Sequence, residues 1–175
     1  MKILVTGGAG YIGSHIVLSL CDKEYEVIVL DDLSTGNQDA IDDRAEFIWG
    51  STLSSEDTNK ALNGVDAVIH LAAFKAAGES MLLPSKYSQN NIVATINLIN
   101  AMIDHNIKIF IFSSSAAIYG YPKYLPIDEK HPLNPINFYG FTKLEIERIL
   151  QWYNNLTGLK YAALRYFNAA GYDKK

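Results

Sequence analysis

The sequence predicts an α/β chain whose core is a doubly wound parallel sheet. Three features point to it. Short apolar runs alternate with segments of helical periodicity throughout the 175 residues, the first run breaks into a cluster of glycines, and polar residues collect where the runs end. Strands that alternate with helices in this way form parallel sheets, with ligands along the carboxyl ends of the strands.

The first element, Lys2 to Thr6 (KILVT), reads as a buried strand, and Ile12, Ile16 and Leu20 recur at helical spacing beyond it. Gly7, Gly8, Gly10 and Gly13 therefore occupy a strand-to-helix turn. Missing side chains let such a turn tighten and expose bare N–H groups to a bulky anion, while the helix N-terminus adds partial positive charge. Gly8, Gly10 and Gly13 fit G-x-G-x-x-G, and Gly7, Gly10 and Gly13 fit G-x-x-G-x-x-G, so the spacing leaves the register open. A second apolar run, EVIVLDD, ends at Asp31 and Asp32, where an acid can bind the ribose hydroxyls of an adenine dinucleotide. A carboxylate there repels a 2'-phosphate, which favours NAD over NADP.

The later elements follow in order. AEFIWG reads as a third strand, SSEDTNKALNG as a helix with serine caps and a terminal glycine, and DAVIHLAA as a fourth strand. PSKYSQNNIVATINLINAMIDHN is apolar at i, i+3 and i+4 and reads as one long helix with Pro84 near its start. KIFIFSSS is the fifth strand. A loop with Pro122, Pro126, Pro132 and Pro135 leads to a helix from Phe138 to about Asn155, and KYAALRYFN closes as the sixth strand. One domain over 1–175 accounts for all of it.

Composition removes several function classes. The net charge of -4 gives no electrostatic footprint for nucleic acid, and no basic amphipathic run addresses a membrane surface. The lone cysteine, Cys21, reads as a core thiol, and no cysteine cluster offers a metal site. No leader-like segment or long apolar stretch is present, so a cytoplasmic protein is expected. His70 closes an apolar strand and reads as a packed, hydrogen-bonded side chain rather than a base.

Catalytic chemistry is suggested by FYGFTKLEIERIL. Tyr139 and Lys143 are four residues apart and share a helical face, and three serines, Ser113 to Ser115, end the strand before them. A phenol of pKa about 10 is a poor base at neutral pH. A neighbouring ammonium and the positive nicotinamide ring would favour the phenolate, so Tyr139 would take a hydroxyl proton while Ser115 holds the same oxygen. The cofactor would carry the redox step.

TGGAGYIGSH, VLDDLSTGN, HLAAFKAAGES, FIFSSSAAIYG, FYGFTK and LRYFNAAG, in this order, resemble the extended short-chain dehydrogenase/reductases, and most closely the UDP-glucose 4-epimerases among them. KAAGES, Lys75 to Ser80, is the most discriminating motif. Dehydratases of the superfamily carry acids just after the strand-five serine or threonine, where this chain has Ala116 and Ala117. The resemblance implies a Rossmann fold and NAD-dependent inversion of a UDP-hexose at C4 through a transient 4-keto sugar. Other sugars, a UDP-N-acetylhexosamine or a UDP-uronate, and a non-catalytic dinucleotide-binding module are the alternatives.

Residue by residue, the resemblance implies that Gly7, Gly10, Tyr11, Ile12 and Gly13 form the pyrophosphate turn and that Asp31 holds the adenosine ribose. Asp32, Leu33, Ser34, Thr35 and Gly36, with Ser51 and Thr52, would line the adenosine pocket. Ala72, Ala73 and Lys75 would border the far side of the cofactor, Asn90 the pyrophosphate and Phe167 the nicotinamide. Tyr139, Lys143 and Ser115 would be catalytic, and Lys75, Ser115, Tyr139 and Asn168 would touch the substrate. It also implies a homodimer through helices around Ile92 to Ile103 and Leu144 to Tyr153.

Two departures stand out: Gly50-Ser51 replaces the family's usual Gly-Asp after strand three, and Phe138 stands where proline or serine is common. The family's C-terminal half supplies most of the sugar-nucleotide pocket, so the chain alone is expected to epimerise poorly.

Overall fold

The computed structural model describes residues 1–171. Six parallel strands form one sheet in the order β3-β2-β1-β4-β5-β6. They are β1 (Lys2–Thr6), β2 (Glu26–Asp31), β3 (Glu46–Trp49), β4 (Ala67–His70), β5 (Ile109–Ser115) and β6 (Lys160–Tyr166). The order reverses direction at β1, whose other neighbour is β4, with Thr6 opposite His70 at their carboxyl ends. That reversal opens a crevice beyond the strands.

Buried apolar residues cover both faces of the sheet, as parallel sheets require. On one face Leu4, Ile28, Val68, Phe110 and Phe112 pack against Leu98, Met102, Ile146 and Leu150; on the other, Ile3, Val5, Val27 and Val29 pack against Val17 and Cys21. Burial pushes the Cys21 thiol pKa up, in keeping with a core role. Helix α1 (Tyr11–Cys21) links β1 to β2, and α2 (Ser55–Ala61) begins where Ser54 accepts a hydrogen bond from the Asp57 amide. Helix α6 (Phe138–Thr157) runs two residues beyond its expected end, to Gly158 at φ 73.

The stretch expected as one long helix is more elaborate. Helix α4 (Pro84–Tyr87) passes into a π-helical segment, Ser88–Val93, and then into α5 (Ala94–Asp104). A preceding short helix, α3 (Ala77–Leu82), was not expected from KAAGES. The π segment adds a residue per turn, and it places Asn91 inside, where its amide brackets the Phe74 backbone at 3.0 Å for both N–H and C=O. Among the described residues, no helix is long and apolar enough to cross a membrane.

Candidate active site

A cleft of about 1040 Å³ follows the carboxyl edge of the sheet from the β2–β3 loops to the end of β6. Its floor at one end is the glycine turn. Gly7 adopts φ 74, and a Cβ there would stand 2.6 Å from the Ala72 backbone nitrogen, so the loop after β4 is able to close on the turn only over glycine. A Cβ on Gly13 would lie 2.1 Å from the Gly7 carbonyl oxygen, whereas Gly8 faces inward against Val17 and Val29. The register left open by spacing is therefore Gly7, Gly10 and Gly13. Gly10 is the N-cap of α1, supplies no side-chain cap, and would direct a Cβ only toward the Gly7 carbonyl at 3.3 Å. The helix N-terminus thus opens on the cleft with its amides uncovered by any capping side chain.

Asp31 ends β2 beside this turn. One carboxylate oxygen accepts from the Ala9 amide at 3.0 Å and the other from the Leu33 amide at 2.9 Å, so the acid is oriented before any ligand arrives. Ser51, where an acid is common, is tied into its own turn. Its amide donates to the Asp57 carboxylate at 3.0 Å and its hydroxyl accepts from the Leu53 amide at 3.2 Å.

At the other end of the cleft, β5 and α6 bring Ser115, Tyr139 and Lys143 together. Lys143 is 3% exposed; its ammonium donates to the Ser113 carbonyl at 2.8 Å and stands 4.8 Å from the Phe112 ring centre and 5.9 Å from that of Tyr139. Burial lowers its pKa to about 7. Burial also raises the Tyr139 phenol, with hydrogen bonding from Ser115 opposing the rise. The sequence reading did not foresee that desolvation dominates at Tyr139, with the hydrogen bond from Ser115 favouring the phenolate.

His70 is 1% exposed and lies behind the cleft. Thr95 donates its hydroxyl proton to the Asn91 carbonyl, so its oxygen accepts from His70 Nε2 at 2.8 Å, and Nδ1 accepts from the Thr6 hydroxyl at 2.6 Å. Burial, then the Lys143 charge, lower its pKa to about 3. It is a neutral structural residue, as expected.

Residues 3–175 match the NAD dependent epimerase/dehydratase family. The chain belongs to that family. It is 50% identical over 173 residues to a UDP-glucose 4-epimerase of Lactobacillus helveticus, covering 98% of this chain and 52% of the relative. A crystal structure of UDP-glucose 4-epimerase from Brucella ovis in complex with NAD superposes with a TM-score of 0.95 at 44% identity, over 98% of this chain and 53% of that one. A UDP-N-acetylglucosamine 4-epimerase from Methanobrevibacter ruminantium M1, in complex with UDP-N-acetylmuramic acid, gives a TM-score of 0.91 at 38% identity, over 97% and 56%. The chain spans about half the length of the relatives it matches.

As in its family's name, the cleft suits a dinucleotide: an uncapped helix N-terminus over a glycine cradle at one end, an oriented acid beside it, and a hydroxyl-rich pocket at the other. Of the residues expected at the site, Gly7, Gly10, Tyr11, Ile12, Gly13, Asp31, Asp32, Ser34 and Thr35 line the cleft, as do Ser51, Thr52, Ala72, Ala73, Lys75 and Asn90. Ser115, Tyr139, Lys143, Phe167 and Asn168 line its far half. Leu33 and Gly36 do not. Leu33 is at φ 59 with its amide turned to Asp31, and Gly36 packs on Ala9, where a Cβ would lie 2.7 Å from the Ala9 Cβ. Both shape the loop that carries Asp32, Ser34 and Thr35.

Sequence reasoning missed Phe74, Glu79, Lys86 and Tyr87, which also line the cleft. Glu79 accepts from Lys86 at 2.9 Å and from the Tyr87 hydroxyl at 2.9 Å, and the Lys86 ammonium stands 4.3 Å over the Phe74 ring. Of these, Glu79 lies inside KAAGES, which was read as a family signature with a site role for Lys75, while Phe74 precedes the motif and Lys86 and Tyr87 follow it.

Proposed function

We propose that this chain is the dinucleotide-binding part of an NAD-dependent UDP-hexose 4-epimerase, and that residues 1–175 act as its NAD-binding domain. The convergence of Ser115, Tyr139 and Lys143 at the far end of a cleft that begins on a glycine cradle is the observation that carries this reading. Bound NAD supplies a hydride acceptor that returns the hydride, so the reaction has no net redox change. Asp31 orients the ribose, and the N-terminus of α1 receives the pyrophosphate.

Tyr139 holds the proton of the sugar 4-hydroxyl at its phenol oxygen. Ser115 donates to the same oxygen and steadies the anion. Lys143, whose pKa of about 7 lets it change charge near neutrality, supplies the local positive charge when protonated. Lys75 and Asn168, at the rim, meet the nucleotide sugar. The sugar is a UDP-hexose; the Methanobrevibacter relative makes a UDP-N-acetylhexosamine the second candidate. Phe141, Trp152 and Leu156 lie exposed along α6, with Val93 exposed just before α5, and this apolar surface supports a homodimer. Cys21, a buried thiol, is at home in the cytoplasm.

The test is NAD binding followed by conversion of UDP-galactose to UDP-glucose, in the chain and in Tyr139→Phe. Both bind NAD, and only the parent converts the sugar, slowly. Equal, measurable conversion by the two removes Tyr139 from the mechanism; NAD binding with no conversion by either leaves the NAD-binding reading standing and assigns conversion to the longer protein, and failure to bind NAD overturns the reading.

A further inference from the structure

We propose that Ser80 is a positioning residue for Tyr139, so that the Gly-Glu-Ser half of KAAGES sets where the phenol stands. The inference rests on the reading of Tyr139 as the proton carrier. Tyr139 is the second residue of α6, and the first amides of a helix have no partner within it. The Asn137 side chain accepts from Gly140 at 2.8 Å. Tyr139 itself donates its amide to Ser80 Oγ at 3.0 Å, across 59 residues of sequence, and Phe138 donates to the Met81 sulfur at 3.3 Å. Two of the open donors of the catalytic helix are thus met by side chains of α3.

Ser80 is fully buried, and its hydroxyl proton is committed to the Ala77 carbonyl at 2.6 Å. Its lone pairs are left for Tyr139. Helix α3 is itself held: the Tyr87 hydroxyl, with one proton shared between them, lies 2.8 Å from the Ala76 carbonyl and 2.9 Å from the Glu79 carboxylate, and Glu79 pairs with Lys86. Since α3 follows directly on Lys75, the chain that borders the cofactor side of the cleft also anchors the backbone from which the phenol projects. Ser115, Lys143 and Tyr87 are the groups whose fields reach Tyr139, and none of them bonds its amide.

The test uses the chain with tyrosine labelled by carbon-13 at Cζ, the Tyr139 line being assigned by its loss in Tyr139→Phe. Wild type, Ser80→Ala and Ser80→Thr are compared at neutral pH, together with amide exchange. In Ser80→Ala the Tyr139 Cζ line moves, because the phenol has left its place beside Ser115, and the Tyr139 amide exchanges about tenfold faster. The Ile146 and Leu150 amides keep their protection, and Ser80→Thr, which keeps the oxygen, restores the line. An unmoved Cζ line in Ser80→Ala overturns the proposal, as does a shift accompanied by loss of protection throughout α6. If Ser80→Ala does not fold, Ser80→Cys, with its weak acceptor sulfur, is read in the same way. Failure of the mechanism shows elsewhere, as unchanged sugar conversion in Tyr139→Phe.

Discussion

Lys143 is a buried cation, and replacing it with methionine should stabilise the fold. The ammonium is 3% exposed, and its partners are the Ser113 carbonyl and the rings of Phe112 and Tyr139. Its pKa falls from 10.5 to about 7 through burial. That gap of about 3.5 pH units, at 1.36 kcal/mol each, corresponds to about 5 kcal/mol charged against burying the cation. Methionine has a similar volume, so packing is kept, while losing the bond to the Ser113 carbonyl returns about 1–2 kcal/mol. The net gain near pH 6 is about 3 kcal/mol, or roughly 6–12 °C in a chain of this size.

The sign follows from linkage. With a depressed folded pKa, the unfolded chain binds more protons between about pH 7 and 10.5, so wild-type stability rises across that window. The advantage of Lys143→Met is therefore largest below pH 7 and disappears by about pH 10. Urea denaturation of both proteins without cofactor, at pH 6 and pH 9.5, checks this. An advantage that does not change between the two pH values, or a variant less stable at pH 6, would show that the buried Lys143 charge does not oppose folding.

Gly13→Ala should lose NAD affinity and about 1–3 kcal/mol of stability, because its Cβ meets backbone at 2.1 Å, whereas Gly10→Ala should lose affinity with the melting temperature kept; calorimetric titration with NAD and thermal melts separate the two. Stability should fall as pH drops from about 6.5 toward 3, because the unfolded chain protonates His70 and the folded chain does not, and His70→Asn should flatten that slope in urea midpoints. Trp152→Glu should shift a dimer to monomer in sedimentation at micromolar concentration without altering NAD affinity; a wild-type monomer would dispose of the α6 interface.

The sheet was legible because four of its strands, β1, β2, β4 and β5, are apolar runs ended by a polar residue, as buried parallel strands are. Tyr139 and Lys143 were legible because helical spacing puts them on one face. What escaped depends on contacts far apart in sequence. The glycine register turns on which Cβ would strike the Gly7 carbonyl, and the Ser80 contact with Tyr139 spans 59 residues. The π segment is invisible to a 3.6-residue period, and it carries the Asn91 side chain that bonds Phe74. The burial of Lys143, which lowers its pKa, escaped as well, because a sequence carries residue types without their depth.

The most direct test of the account is to denature the purified chain, identify any released nucleotide by mass, and titrate the emptied protein with NAD and NADP. NAD should be released in near-equimolar amount, or bound on titration in preference to NADP because of the Asp31 carboxylate. A chain that releases no nucleotide and takes up neither NAD nor NADP would contradict the cleft's assignment, and with it the roles given to Ser115, Tyr139 and Lys143.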